Sequence, residues 1–393
     1  MAKRKISLAR SLILGVFVLI LGFAASFSYL TYDSLPESYT IPATIESSSN
    51  GSNDVETGNI NKQIILSNDI SIHFLELGNK YTGDCILIKM GETEILVDGG
   101  SKASSIPTIK SYLDEYVDGK LEYVVVTHAH EDHYAAYATG EGTNSLFDYY
   151  QPKTLIEFAQ TNKTSSNKMY SNYLKNVEKI QNNGTGTDFK SAKDLVGNPI
   201  IIESKSPTTQ NIKFEILDQK YYYEENKADA KTENNFSVCF QISQGDSRYL
   251  FTGDLEEKGE ESLVNLNQGK LGKVVVYKAG HHGSKTSSSE KLMSVIQPKV
   301  VCVCCCAGSE EYTTKNENQF PTQQFVNNVY KYGSKIYVTS LCLNYNENSF
   351  TSFNGTIVVC ATETTFSVQC SNNSTDLKDT DWFKKNRTLP NAA

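Results

Sequence analysis

"VVVTHAHEDHYAA", residues 124–136, sets three histidines and an aspartate directly behind three valines. The chain has six histidines among 393 residues, and half of them (His128, His130 and His133) fall within six positions here. The apolar run reads as a buried strand, and the loops at strand ends are where sites collect. His128 and His130 are two apart, so an extended backbone points both to one side. Asp132 and His133 follow as the chain turns into a helix. Neutral imidazoles with a carboxylate are a ligand set for zinc or a similar divalent ion. The plain alternative is a solvated loop rich in histidine, and the rarity of histidine in this chain weighs against it.

Two further strand ends offer the same chemistry. His281 and His282 stand side by side in "VVVYKAGHHGSKTSS" (274–288), again behind valines, and Asp254 closes the apolar run of "YLFTGDLE" (249–256). His73 lies inside the alternating stretch "SIHFLEL" (71–77) and reads as structural. Four of nine cysteines crowd into "VVCVCCCAG". Cys302 and Cys305 make a formal C-x-x-C. On a strand, however, Cys302, Cys304 and Cys306 share one face and Cys305 takes the other, so they read as packing residues. An odd cysteine count prevents complete internal pairing, and free thiols outside the cell would fit a reducing habitat.

The first thirty residues stand apart. Lys3, Arg4, Lys5 and Arg10 precede an uncharged apolar run from Ser11 to Leu30, which reads as a signal anchor with its basic end inside. A cleaved signal peptide is the alternative, with Ala24, Ala25 and Ser26 near a cut. Either reading places the remainder outside the cytoplasm. Four of the 37 basic residues and none of the 45 acidic ones lie in that segment, so the remainder carries a formal −12. Such a body is not built for non-specific adhesion to nucleic acid. Residues 31–63 are rich in Ser, Asn and Gly and read as a flexible polar linker. Order is expected over 64–369, and 370–393 reads as a loosely held polar tail.

Within 64–369, strand-like runs alternate with helical spacing. Helices are expected near 106–117, 168–180, 256–268, 288–297 and 321–332, and strands at "CILIKM", "EILV", "IKFEIL", "FSVCFQIS", "RYLF", "KVVVYK", "KVVCVCCC" and "KIYVT". Two β-rich halves with interspersed helices predict a layered α/β protein. The tyrosines of "QKYYYEEN" (219–226) read as packing or surface residues, with a substrate groove as the lesser alternative.

"THAHEDH", followed by "LFTGD" and "KAGHHGSKTSS" and preceded by "ILVDGG", resembles the motif series of the metallo-β-lactamase fold superfamily. "LELGNKYTGDCILI" and "ENNFSV" bring it near the extracellular nuclease-like domain of ComEC competence proteins, over roughly residues 64–345. The resemblance implies an αββα sandwich holding one or two divalent ions, zinc or manganese. It also implies a hydrolase whose cations acidify a water for attack. Carried over by position, His128 and His130 bind the first ion, Asp132 and His133 the second, and Asp254 bridges them. One of His281 or His282 completes the second site, with His281 preferred because it comes first off the strand. Asp132 orients the water.

There are departures from the family pattern. No histidine lies between Tyr134 and Asp254, so Asn234 or Asn235 is expected near a weakened first-ion site, and Ala135-Ala136 stand where the family has glycines. Ser284, Lys285 and Thr286 form a candidate phosphate loop. The leading expectation is therefore a phosphodiesterase acting on DNA or on a cell-envelope phosphodiester such as teichoic acid. Hydrolysis of another ester, lactone or amide, and a catalytically silent anchored binding module, stand as alternatives.

Overall fold

The valines of the opening motif sort by parity. In the computed structural model, which describes residues 60–184 and 186–390, Val125 faces one apolar core while Val124 and Val126 face another. A strand that buries both faces must lie between two layers. It is the fourth of β1 (Ile70–Phe74), β2 (Ile86–Met90), β3 (Thr93–Val97), β4 (Leu121–Val126), β5 (Pro152–Glu157) and β6 (Asp188–Ser191). The second half supplies β7 (Ile200–Ile202), β8 (Ile212–Ile216), β9 (Phe240–Gln244), β10 (Ser247–Phe251), β11 (Val276–Lys278) and β12 (Val300–Ala307). It then adds β13 (Lys335–Asn344), β14 (Ser349–Ser352), β15 (Ile357–Ala361) and β16 (Phe366–Cys370).

These strands form two sheets of eight, ordered 16-15-1-2-3-4-5-6 and 14-13-12-11-10-9-8-7. Between them lies a core that includes Phe74, Ile88, Val125, Phe240, Phe251 and Ile357. Phe240 and Phe251 stack with ring centroids 4.5 Å apart. The outer face of the first sheet is covered by α1 (Ile106–Tyr116) and α2 (Lys168–Asn182), which contribute Ile109, Leu113, Tyr173 and Ile180. The outer face of the second is covered by α3 (Glu257–Leu266), α4 (Glu290–Ile296) and α5 (Gln323–Tyr330), through Leu263, Leu292, Met293, Phe325 and Val329. The order helices, sheet, sheet, helices is the αββα sandwich that the resemblance implies, and the layered α/β protein that the pattern of strands and helices predicts.

Several local readings meet the structure directly. Cys302 and Cys304 enter the inter-sheet core and Cys305 the outer one. A register shift between Val303 and Cys306 breaks the alternation beyond that point. The cysteines are unpaired, and all but Cys342 are buried. His73 is buried between the Tyr112 hydroxyl, 2.7 Å from Nδ1, and the Ser71 hydroxyl, 2.9 Å from Nε2. Burial, aided by Lys89, pushes its pKa down to about 3, so it is a neutral packing residue. Tyr221 and Tyr222 are likewise buried, and the Tyr222 hydroxyl accepts the Cys239 N–H.

The tail differs from expectation. Leu377 and Phe383 fill the outer core beside α5, and buried Arg387 donates to the carbonyls of Pro321 and Gln319. Its charge and polarity serve to satisfy a loop, which composition alone does not reveal. The expected membrane anchor and nearly all of the linker lie outside the described residues. Among the described residues no helix is long and apolar enough to cross a membrane.

Candidate metal centre

Three loops interlock through their backbones at one edge of the sandwich. The Asp84 N–H donates to the Asp132 carbonyl at 3.0 Å, the Gly99 N–H to the His133 carbonyl at 2.6 Å, and the Gly100 N–H to the Asp84 carbonyl at 2.7 Å. Packing this close needs a residue without a side chain at Gly83. A Cβ there would stand 2.7 Å from the Ser101 nitrogen and 2.9 Å from the Asp132 oxygen. From the other sheet, Gly253 (φ +52°) turns Asp254 inward, and the Asp254 N–H donates to the Ser237 hydroxyl at 3.0 Å.

The result is a buried cluster in which ligand atoms of Asp84, His133, Asp254 and His282 lie within 4.8 Å of one another. Its centre is tighter. His133 Nε2 is 3.2 Å from His282 Nε2 and 3.2 Å from Asp254 Oδ2. His282 Nε2 is 3.3 Å from both Asp254 Oδ2 and Asp132 Oδ2. The outer nitrogens are anchored: His133 Nδ1 lies 2.7 Å from Asp98 Oδ2, and His282 Nδ1 lies 3.0 Å from the Cys304 carbonyl. An Nδ1–H held by an acceptor leaves the Nε2 lone pair facing inward, which is how proteins orient metal-binding imidazoles. Two such nitrogens facing carboxylate oxygens fit a divalent ion of the zinc or manganese kind. Asp84 stands behind them, its Oδ1 3.3 Å from His282 Nδ1 and without a hydrogen-bond partner.

Electrostatics agree with the geometry. Burial opposes the charge on His133, but Asp254 and Asp98 outweigh it and raise the imidazole to about 10. Burial likewise opposes ionisation of Asp254, and His282, His133 and Lys278 overcome it, holding the carboxyl well below its ordinary range. The cluster thus carries its anions ionised and ready for a cation, and cation uptake releases imidazole protons.

The other residues singled out in the sequence divide into two groups. His128 and His130 come together, His128 Nε2 3.1 Å from His130 Nδ1, and the His128 ring centroid lies 4.1 Å from that of His133. Asp132 reaches both His282 and the Tyr312 hydroxyl, which donates to it at 3.1 Å. His281, preferred by chain order, sits at the rim with Nε2 4.0 Å from Asp254, and His282 is the one turned inward. Both have left-handed backbones (φ +45° and +52°), so their directions do not follow from the strand before them.

Asn234 contacts Glu256 and His281, and Asn235 contacts Glu256. The Thr286 hydroxyl meets His281 Nδ1 at 2.9 Å and the Ser284 hydroxyl at 3.2 Å, while Lys285 donates to Asn318. That loop orients His281. Asp84, Asp98, Lys278, Tyr312 and Lys102 were not foreseen as site residues. The signal for the first two was present in "YTGD" and "LVDGG", where an aspartate ends or borders a strand.

Above the cluster opens a cleft of about 290 Å³, lined by residues that include Lys102, His130, Asp132, His281, Glu311 and Tyr312. Buried Glu260 on α3 accepts the N–H groups of Ser288 and Ser289 at 2.6 and 2.8 Å, pinning the loop that carries Thr286. Burial pushes Glu260 up to about 7 against the opposing pull of Ser289. A carboxyl raised in the folded state contributes stability that is complete below its ordinary 4.5 and is lost as pH rises through 7. The loss amounts to about 3 kcal/mol. Melting temperatures followed from pH 4.5 to 8 are expected to fall less steeply for Glu260→Gln than for the wild type; parallel curves would refute this assignment.

Comparison with known proteins agrees with the site. The profile of the Metallo-beta-lactamase superfamily matches residues 78–138. Recombination protein 2 of Haemophilus influenzae is 30% identical over 120 residues, which is 30% of this chain and 14% of that protein. Competence protein ComA of Neisseria gonorrhoeae is 36% identical over 109 residues, 28% of this chain and 15% of that protein. The matched segments therefore span about a seventh of those relatives' length. Among solved structures, the metallo-beta-lactamase fold protein YhfI of Bacillus subtilis is similar at 11% identity and a TM-score of 0.35, covering 69% of this chain and 85% of that one. The segment that carries the first motif and the loops interlocked with it thus matches the Metallo-beta-lactamase superfamily, and the chain has partial homology to competence proteins.

Proposed function

We propose that the chain is a metal-dependent phosphodiesterase working outside the cytoplasm, anchored by its N-terminal apolar segment. The observation that carries this reading is the cleft, where His130, Asp132 and His281 bring the buried cluster to the surface beside the Lys102 ammonium. A bound divalent ion supplies Lewis-acid stabilisation of developing oxyanion charge and a water acidified to near neutrality. The chain's own groups do the rest. His133, His282 and Asp254, with Asp84 behind them, would hold the cation. Asp132, which accepts a hydrogen bond from the Tyr312 hydroxyl, would align the attacking water. Lys102, 4.7 Å from the Tyr81 ring centroid and 2.6 Å from Glu131, offers positive charge to an anionic group entering the cleft.

Glu131 and Glu311 share that cleft. Their charge favours a substrate that presents one phosphodiester to the cluster over a polyanionic strand lying along the groove. A cell-envelope polymer or a DNA end fits this requirement, and relatives named for recombination and competence keep DNA among the substrates. The test is turnover of bis(p-nitrophenyl) phosphate by the full chain with zinc and with manganese, before and after chelation. Hydrolysis lost on chelation and restored by metal supports the reading. Bound metal without hydrolysis overturns the phosphodiesterase reading in favour of another hydrolase or a binding role.

A further inference from the structure

The cluster contains a cation of its own. Lys278 is the last residue of β11 and is buried, a costly place for an ammonium unless its surroundings are anionic. Its Nζ lies 2.5 Å from Asp84 Oδ2, 3.3 Å from Asp254 Oδ1 and 3.3 Å from the Gly253 carbonyl oxygen. Two carboxylates and a backbone carbonyl are the oxygen shell that hard divalent ions take from proteins. The ammonium is seated in a position that would suit such an ion.

We infer that Lys278 is a built-in cation of the centre, filling an all-oxygen position between Asp84 and Asp254 that a divalent ion would otherwise occupy. The consequence lies in how Asp254 is divided. Oδ1 faces the ammonium, while Oδ2 faces the Nε2 atoms of His133 and His282. With one oxygen committed, Asp254 has a single oxygen for ions on the open side. Lys278 thereby caps the number of ions that the carboxylates can hold and fixes the direction in which Asp254 presents its lone pairs. It is a positioning residue, acting through Asp84 and Asp254. Simple packing does not account for it, since Val276 and Tyr277 on the same strand fill the two cores with apolar surface.

The inference rests on the metal-dependent reading of the site, but it concerns how many ions are bound rather than what is hydrolysed. The test counts bound manganese per chain and measures melting temperature with and without Mn²⁺, for the full-length wild type, Lys278→Ala and Lys278→Met. Lys278→Ala empties the oxygen shell. It is expected to bind one more Mn²⁺ per chain at saturation than the wild type and to gain more in melting temperature from Mn²⁺. Lys278→Met fills the space without charge; it is expected to melt lower than the wild type without metal and to bind no additional ion.

Should Lys278→Ala fail to fold without metal, the inference requires that Mn²⁺ restore folding, and failure of that rescue overturns it. Equal stoichiometry and equal Mn²⁺ stabilisation in wild type and Lys278→Ala also overturn it, while leaving the metal centre intact. A wild type that takes up neither manganese nor zinc refutes the metal reading and this inference together.

Discussion

Asp254→Ala is expected to strip the protein of its metal affinity and lower metal-dependent turnover by at least about 100-fold, since the loss of an outer partner alone typically costs 10–100-fold. Asp254 is where the two halves of the chain meet. Its Oδ2 faces His133 from the first sheet and His282 from the second, and its Oδ1 faces Lys278. Removing it takes away the carboxylate that faces both Nε2 atoms and leaves Lys278 with Asp84 as its remaining anion. Breaking a buried ionic group of this kind costs about 3–5 kcal/mol, so the metal-free variant is also expected to melt earlier.

A readout independent of turnover follows from His133. Asp254 is the largest influence raising its pKa to about 10, so in the metal-free variant its imidazole titrates at lower pH. Titration by NMR decides the point. An unchanged His133 together with wild-type metal content would show that Asp254 does not hold the centre together.

The second large effect is expected at a residue with no chemistry at all. Gly83→Ala places a methyl group 2.8 Å from Ser101 Cβ and 2.9 Å from the Asp132 carbonyl oxygen. Neither can retreat freely, because the same backbone carries the Asp84-to-Asp132 hydrogen bond. Overpacking of this sort costs about 1–3 kcal/mol. The larger effect is on the site, since Asp84 and Asp132 flank the contact and must move with it. Displacing reacting groups by about 1 Å costs about 100-fold in rate, so turnover is expected to fall even at temperatures well below melting. Gly140→Ala is the control, because its Cβ would meet nothing closer than Asn172 Nδ2 at 3.7 Å. Equal activity in the two variants would show that the interlock at Gly83 does not position the site.

Much of the architecture was legible because it is written in short-range patterns. The helices at 106–116, 168–182, 257–266, 290–296 and 323–330 follow apolar spacing, and the valine runs mark β4 and the approach to β11. Other strands were not legible. β5 begins at a proline, which speaks against a strand, and β15 carries a plain "IVVCA" that joins β1, nearly 290 residues earlier, as its antiparallel neighbour. Such pairings depend on which edge is free once everything else has packed.

The site divides along the same line. The sequence by itself determined that the strand ends after Val126, Phe251 and Lys278 bear histidines and an aspartate fit for a divalent ion, because residue type and the end of an apolar run are local facts. Only the tertiary structure decided which of them meet. His282 rather than His281 turns inward because both residues sit in left-handed conformations that strand parity does not describe. Asp84, Asp98 and Lys278 join the centre because loops from distant parts of the chain close over one another through backbone hydrogen bonds. Their charges matter only in a place without water, and burial is produced by the whole fold, not by any stretch of it.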